Sequence, residues 1–212
     1  MFEETKNRQE LCDVMRRLYN QGLVSSVGGN ASVVSHEGNF MLVTPTHIDK
    51  VNLKIHEIVK VDLTDGHIIE GPSCSSETIN HLSVYKSRKD IKAIVHAHPT
   101  ISVGMITSGF VPKAPTSEYV MFVRNLIAVD FAPAGEESVR KLVEAFSKTD
   151  IVLLKNHGVF SVGTSIFDAF SRIEVLEEGA KIMLIGKIFG KMPELSEDLA
   201  KETIEIYSKI MK

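Results

Sequence analysis

A chain of 212 residues with 43% hydrophobic and 24% charged side chains has the size and composition of one globular domain, residues 1–212, with a substantial core. Its formal net charge of −3, with signs mixed along the chain, offers no basic stripe for a nucleic-acid backbone, and no run approaches the ~20 apolar residues of a membrane span. Two cysteines, Cys12 and Cys74, form neither a disulfide framework nor a CxxC pair, and the polar start MFEETKNRQEL has no signal-peptide apolar stretch, so the expectation is a soluble cytoplasmic protein.

Residues 3–21 read as an amphipathic helix, with Leu11, Val14, Met15 and Leu18 on one face and Gly22 as its stop. SSVGGNASVV and FMLVTPT then read as strands, interrupted by a Gly-rich turn and by Pro45. Asp65-Gly66 between two apolar runs marks a hairpin. A helix is expected over 76–88, carrying Ile79, Leu82 and Val84, followed by the strand AIVHAH, the strand LIAVDFA and the helix GEESVRKLVEAFSK. DIVLLKNHGVFSVG reads as two strands joined at Asn156–Gly158, and Ser165 with Asp168 resembles a capping box opening a helix to about Ile188. Ser196 opens a last helix with Leu199, Ile204, Ile206 and Tyr207. Hairpin-like strand pairs flanked by helices predict an α/β fold, with a mostly antiparallel or mixed sheet covered on both faces rather than a Rossmann βαβ alternation.

The chemistry-bearing residues stand out against this background. His96 and His98 are two apart on one predicted strand, so both side chains face the same way with Cα atoms ~6.6 Å apart, a spacing that lets two imidazoles meet one ion. Two hydrogen-bonded core histidines are the alternative. His157 follows another apolar strand, in the turn Asn-His-Gly, and is either a turn residue or a third ligand; three histidines would leave one coordination position open, as catalytic zinc sites do. His36, His47, His56, His67 and His81 lie in polar or turn contexts and are expected to be exposed. Glu77 sits at a loop-to-helix junction, either as a first-turn acid facing the helix dipole or as a functional carboxylate. Ser73, Ser75 and Ser76 precede that helix, where hydroxyls and free N–H groups can hold an anion, and GGNAS and TPTH supply two more turns of small hydrogen-bonding residues. Cys74 is read as a bystander, since nothing local lowers its thiol pKa.

In their order and spacing GLVSSVGGNASVV, MLVTPT, PSCSSE, YKSRKDIKAIVHAHP, LLKNHGV and EVLEEGAKI resemble the class II aldolase/adducin family, in its L-fuculose-1-phosphate aldolase branch, along nearly the whole chain. The resemblance implies a three-layer α/β/α sandwich and a homotetramer with sites between adjacent subunits. By position it makes His96, His98 and His157 zinc ligands and Glu77 the catalytic acid/base, which can also approach the metal. It makes Gly29, Asn30, Thr46, His47, Ser75 and Ser76 the holders of a substrate phosphate. His47 stands where that branch commonly has glycine. Tyr119 and Tyr207 are weaker matches to aromatic residues that touch substrate.

The implied chemistry is zinc-assisted cleavage of a ketose 1-phosphate to dihydroxyacetone phosphate and an aldehyde, with Glu77 moving the carbon-bound proton. The same scaffold also serves pentulose-phosphate 4-epimerases, methylthioribulose-phosphate dehydratases and sugar-acid-phosphate decarboxylases, as well as non-catalytic adducin-like domains. The epimerases usually carry aspartate at the place of Glu77.

Overall fold

The computed structural model describes residues 2–191 and 194–210. The first helix, α1 (Phe2–Asn20), buries Leu11, Val14, Met15 and Leu18, places Glu3 and Glu4 in its first turn and Arg17 in its last, and so agrees with its own dipole. It ends at Gly22 in a paired cap, in which Leu23 N–H donates to Leu18 O and Gly22 N–H to Tyr19 O.

Eight strands make one sheet: β1 (Asn30–Val34), β2 (Phe40–Val43), β3 (Val59–Asp62), β4 (Ile68–Glu70), β5 (Ala93–Ala97), β6 (Ile127–Val129), β7 (Ile151–Leu154) and β8 (Gly158–Gly163). Their order is β4-β3-β2-β1-β5-β8-β7-β6, and every neighbouring pair is antiparallel except β6–β7. The mixed, mostly antiparallel α/β architecture expected from the sequence is therefore present, including the hairpin at Asp65-Gly66, where Gly66 has φ +84°.

Strand alternation divides the core in two. Ala93, Val95 and Ala97 of β5, Ile151 and Leu153 of β7, and Val159 of β8 face α1, α3 (Thr100–Thr107), α4 (Ser117–Phe122) and α6 (Ile166–Ile188). Ile94, Val152, Leu154, Phe160 and Val162 face α2 (Thr78–Ser87) and α5 (Glu136–Phe146). Each fully buried large aliphatic side chain in these layers contributes roughly 1.5–3 kcal/mol. Long elements that the periodicity marked keep close to their expected bounds. Ser165 Oγ accepts from Asp168 N–H, while the Asp168 carboxylate reaches back to Thr164 N–H rather than to Ser165. The last helix, α7 (Glu197–Ile210), packs against α4.

Two helices, α3 and α4, were not expected. Neither carries a clear apolar stripe; α3 has Pro99 at its N-cap, which brings no capping side chain. Its first turn is instead held by Glu177 of α6, whose carboxylate accepts from Ile101 N–H (3.0 Å), Ser102 N–H (2.9 Å) and Ser102 Oγ (2.7 Å). A non-local cap of this kind leaves no mark in the local sequence.

Candidate metal centre and active site

The site begins as one row across the sheet. Asn30 of β1 pairs with His96 of β5, and His96 pairs with Phe160 of β8, so all three side chains lie on one sheet face. His96 is fully buried; its Nδ1 lies 3.0 Å from Val159 O, and its ring stacks on Phe160 with centroids 3.9 Å apart and 15° between planes. A backbone carbonyl at Nδ1 fixes the proton there and turns Nε2 outward as a lone-pair donor. That nitrogen is 3.0 Å from His98 Nε2, so the two imidazoles of the HxH pair do converge.

His157 arrives from the turn between β7 and β8. Asn156 takes φ +59° and His157 N–H donates to Leu154 O, which brings the ring to 4.9 Å from that of His96, centroid to centroid. The next residue, Gly158, makes room for the cluster. A Cβ built there would stand 2.5 Å from Ala97 O, 2.6 Å from His98 Cδ2 and 2.8 Å from His96 Cε1. Gly29 serves on the other side, with φ +68° and space for a side chain blocked by Val24 and by His96 O at 2.8 Å.

Glu77 closes the site from the start of α2. Its Oε2 accepts a 2.6 Å hydrogen bond from Asn30 Nδ2 and lies 3.3 Å from His96 Nε2, and its Oε1 lies 3.4 Å from His157 Nε2. Burial raises its pKa above the usual carboxylate range, against the opposing bond from Asn30. Burial also drives the imidazoles to neutrality: His96 falls well below its ordinary value, helped by the charges of His98 and His157, His98 falls to about 4, and His157 is lowered. The cluster therefore sets neutral nitrogen donors beside a carboxyl group whose proton affinity burial has raised.

These donors fit a divalent ion. The ligand-capable nitrogens of His96, His98 and His157 lie within 4.8 Å of one another, and tetrahedral ligands 2.0–2.1 Å from zinc stand about 3.3 Å apart. The buried Nδ1 of His157 has no partner among the described residues, so, unlike that of His96, its ring is not fixed by a backbone carbonyl. A second grouping, Asp62, Asp65 and His67, is explained by its hairpin turn, where the carboxylates accept from Thr64 N–H and His67 N–H.

The turns expected from the sequence to hold an anion are brought together as well. Pro45 forms an isolated bridge with Cys74, and Thr46 N–H donates to Ser73 O, so TPTH and the serine loop lie side by side next to Glu77. Ser75 Oγ accepts from Glu77 N–H, Ser76 is exposed, and His47 takes φ +55°, the left-handed conformation that glycine adopts freely. The Asn30 amide points to Glu77, and its Oδ1 is buried without a partner among the described residues.

Other expectations need correction. Tyr119 is a core residue of α4, 3% exposed, with its hydroxyl donating to Pro112 O and its ring against Gly179, so it is not presented to a ligand. Tyr207 of α7 lines a groove with Phe122, Arg124, Phe167 and Arg172 rather than with the histidines. His81 is buried instead of exposed, its Nδ1 2.7 Å from Ser32 Oγ. Its helical position four residues after Glu77 was the available signal. Phe160 and Gly158 were passed over as site residues; the register that places them against His96 joins residues more than 60 apart.

Comparison with known proteins agrees with this geometry. Residues 9–184 match the family described as the class II aldolase and adducin N-terminal domain. The chain is similar to an L-fuculose phosphate aldolase of Methanocaldococcus jannaschii, at 36% identity over 87% of this chain and 99% of that one. It is also similar to a 3-oxo-tetronate 4-phosphate decarboxylase of Escherichia coli K12, at 30% identity over 86% of this chain and 88% of that one. A solved structure of an L-fuculose 1-phosphate aldolase superposes with a TM-score of 0.86 at 29% identity, covering 96% of each chain.

Proposed function

The chain belongs to the class II aldolase and adducin family, and from that premise we propose that it is a zinc-dependent aldolase. It reversibly cleaves a ketose 1-phosphate, L-fuculose 1-phosphate or a related deoxy-sugar phosphate, into dihydroxyacetone phosphate and an aldehyde. The observation that carries this reading is the placement of the Glu77 carboxylate 3.3–3.4 Å from two of three neutral histidine donors. A non-catalytic domain has no use for a buried carboxyl group beside such a cluster.

His96, His98 and His157 hold the ion, which when bound supplies a Lewis acid for charge developing on substrate oxygen. Zinc suits three imidazoles, and cobalt or manganese are the competing occupants. In cleavage the C4 hydroxyl loses its proton to solvent and becomes the aldehyde carbonyl as the bond between C3 and C4 breaks; the electron pair of that bond stays on C3 as the enediolate, and protonated Glu77 gives its proton to that carbon. In the reverse direction the carboxylate takes the proton back, a role favoured by its raised pKa. Asn30 holds Glu77 in position until substrate arrives. Gly29, Asn30, Thr46, His47, Ser75 and Ser76 bind the phosphate, which fixes the reacting carbons by contacts remote from them.

A homotetramer with sites between subunits goes with this reading, supported by exposed apolar side chains at the end of α6, Ile185 and Ile188, and by Phe189 just beyond it. With Tyr119 in the core, any aromatic residue contributed across a subunit boundary comes from elsewhere. The test is a panel of ketose phosphates and 3-oxo sugar-acid phosphates, read for dihydroxyacetone phosphate and for carbon dioxide. Dihydroxyacetone phosphate from a deoxy-ketose phosphate supports the aldolase. Carbon dioxide alone assigns the decarboxylase chemistry of the E. coli relative, and isomer interconversion without cleavage assigns an epimerase.

A further inference from the structure

Lys50 is among the largest fully buried side chains of the protein, 2% exposed, although it comes from a polar turn. Its Nζ donates to Pro45 O and its backbone N–H donates to Ser26 O at 2.8 Å. Pro45 is in turn bridged to Cys74, and Thr46 N–H to Ser73 O. One residue thus ties together the turn that precedes Gly29, the turn Thr44–His47, and the serine loop Ser73–Ser76. No carboxylate pairs with its ammonium among the described residues; burial alone acts on the group and pushes its pKa down to about 8.

A buried cation without a counter-ion is costly, and it persists where a ligand of opposite charge completes it. We propose that Lys50 is the positioning residue and buried counter-charge of the phosphate site, holding the Thr44–His47 turn through Pro45 O and balancing a dianionic phosphate ester bound above it. The inference rests on the phosphate-ester reading of the site and adds a residue that none of the anion-binding motifs contains. It also accounts for the left-handed His47: the turn is pinned on both sides of that residue, by Pro45 O on Lys50 Nζ and by the Lys50 amide on Ser26 O.

The experiment compares the zinc-loaded wild type with Lys50→Met, which removes both charge and donor, and Lys50→Gln, which keeps a shorter neutral donor. Inorganic phosphate is the probe, titrated calorimetrically and as a competitive inhibitor, with zinc content and melting temperature measured on the same preparations. Both variants are expected to bind phosphate roughly ten- to a hundredfold more weakly, the loss that goes with one charge-assisted contact, with Lys50→Gln the milder. KM for the cleaved ketose phosphate should rise in parallel, while kcat stays within about threefold and zinc content is unchanged.

Phosphate affinity within about twofold of wild type in a folded variant overturns the inference, as does a fall in kcat at constant KM. Failure of the wild type to bind inorganic phosphate overturns it too. Should Lys50→Met not fold, Lys50→Gln carries the same comparison. If phosphate binding depends on Lys50 while no ketose phosphate is cleaved, the inference stands and the aldolase reading falls. If cleavage proceeds and Lys50 is irrelevant to phosphate, the reverse holds.

Discussion

Glu177 and Glu77 both meet helix N-termini, and they are used in opposite ways. Glu177 reaches from α6 to the start of α3, where Pro99 has no side chain to offer, and three donors satisfy its carboxylate. Glu77 stands at the start of its own helix yet caps nothing; its side chain turns to one amide donor and two neutral imidazoles. The first is a completed structural contact. The second leaves lone pairs and proton affinity uncommitted, which costs stability and is what general acid/base chemistry requires.

The largest expected effect attacks Glu77. Glu77→Gln should retain the ion and the melting temperature while turnover falls by about 10²–10⁴-fold, the range for a general base; unimpaired turnover removes Glu77 from that role. Glu177→Ala should do the reverse. Losing a charged acceptor of three hydrogen bonds costs about 3 kcal/mol, which for a chain of this size lowers the melting temperature by roughly 6–12 °C, with metal content of the folded fraction unchanged. A calorimetric scan and metal analysis separate the two outcomes, and a stable but metal-free Glu177→Ala would merge the roles that the geometry keeps apart.

Gly158→Ala tests the cradle beside Glu77. Its Cβ must displace the His96 and His98 rings, so metal affinity should drop roughly 10–100-fold by competition with a chelator. Undiminished affinity would show that the rings have room to yield.

The smallest effect comes from His81, on the same face of α2 as Glu77. Burial lowers its pKa from 6.5 to about 3, so between those values the unfolded chain binds the extra proton. Its contribution is therefore complete above about pH 6.5 and is lost as pH falls toward 3, by about 1–2 kcal/mol between pH 7 and 5. Melting curves of wild type and His81→Gln should differ in pH slope across that interval, with the variant flatter. Parallel slopes would mean that the folded protein accommodates a charged His81.

Much of this was legible in the sequence where the signal is local. Periodicity marked α1, α5 and α6, and strand alternation placed His96 and His98 on one side. The misses share one cause. α3 is capped from 75 residues away, Tyr119, matched to an aromatic residue that touches substrate, fills the core, and Lys50, which no motif singled out, is buried.

The amino-acid order by itself determined the chemistry available: three imidazoles, one carboxylate, small residues in turns, and strands whose two-residue repeat assigns each side chain a face. The tertiary structure decided which of these meet. The row Asn30–His96–Phe160 depends on registers between β1, β5 and β8, and the turn assembly around Lys50 depends on contacts among three loops. Such pairings are selected by burying both sheet faces at once, a global free-energy balance that no local window of residues contains.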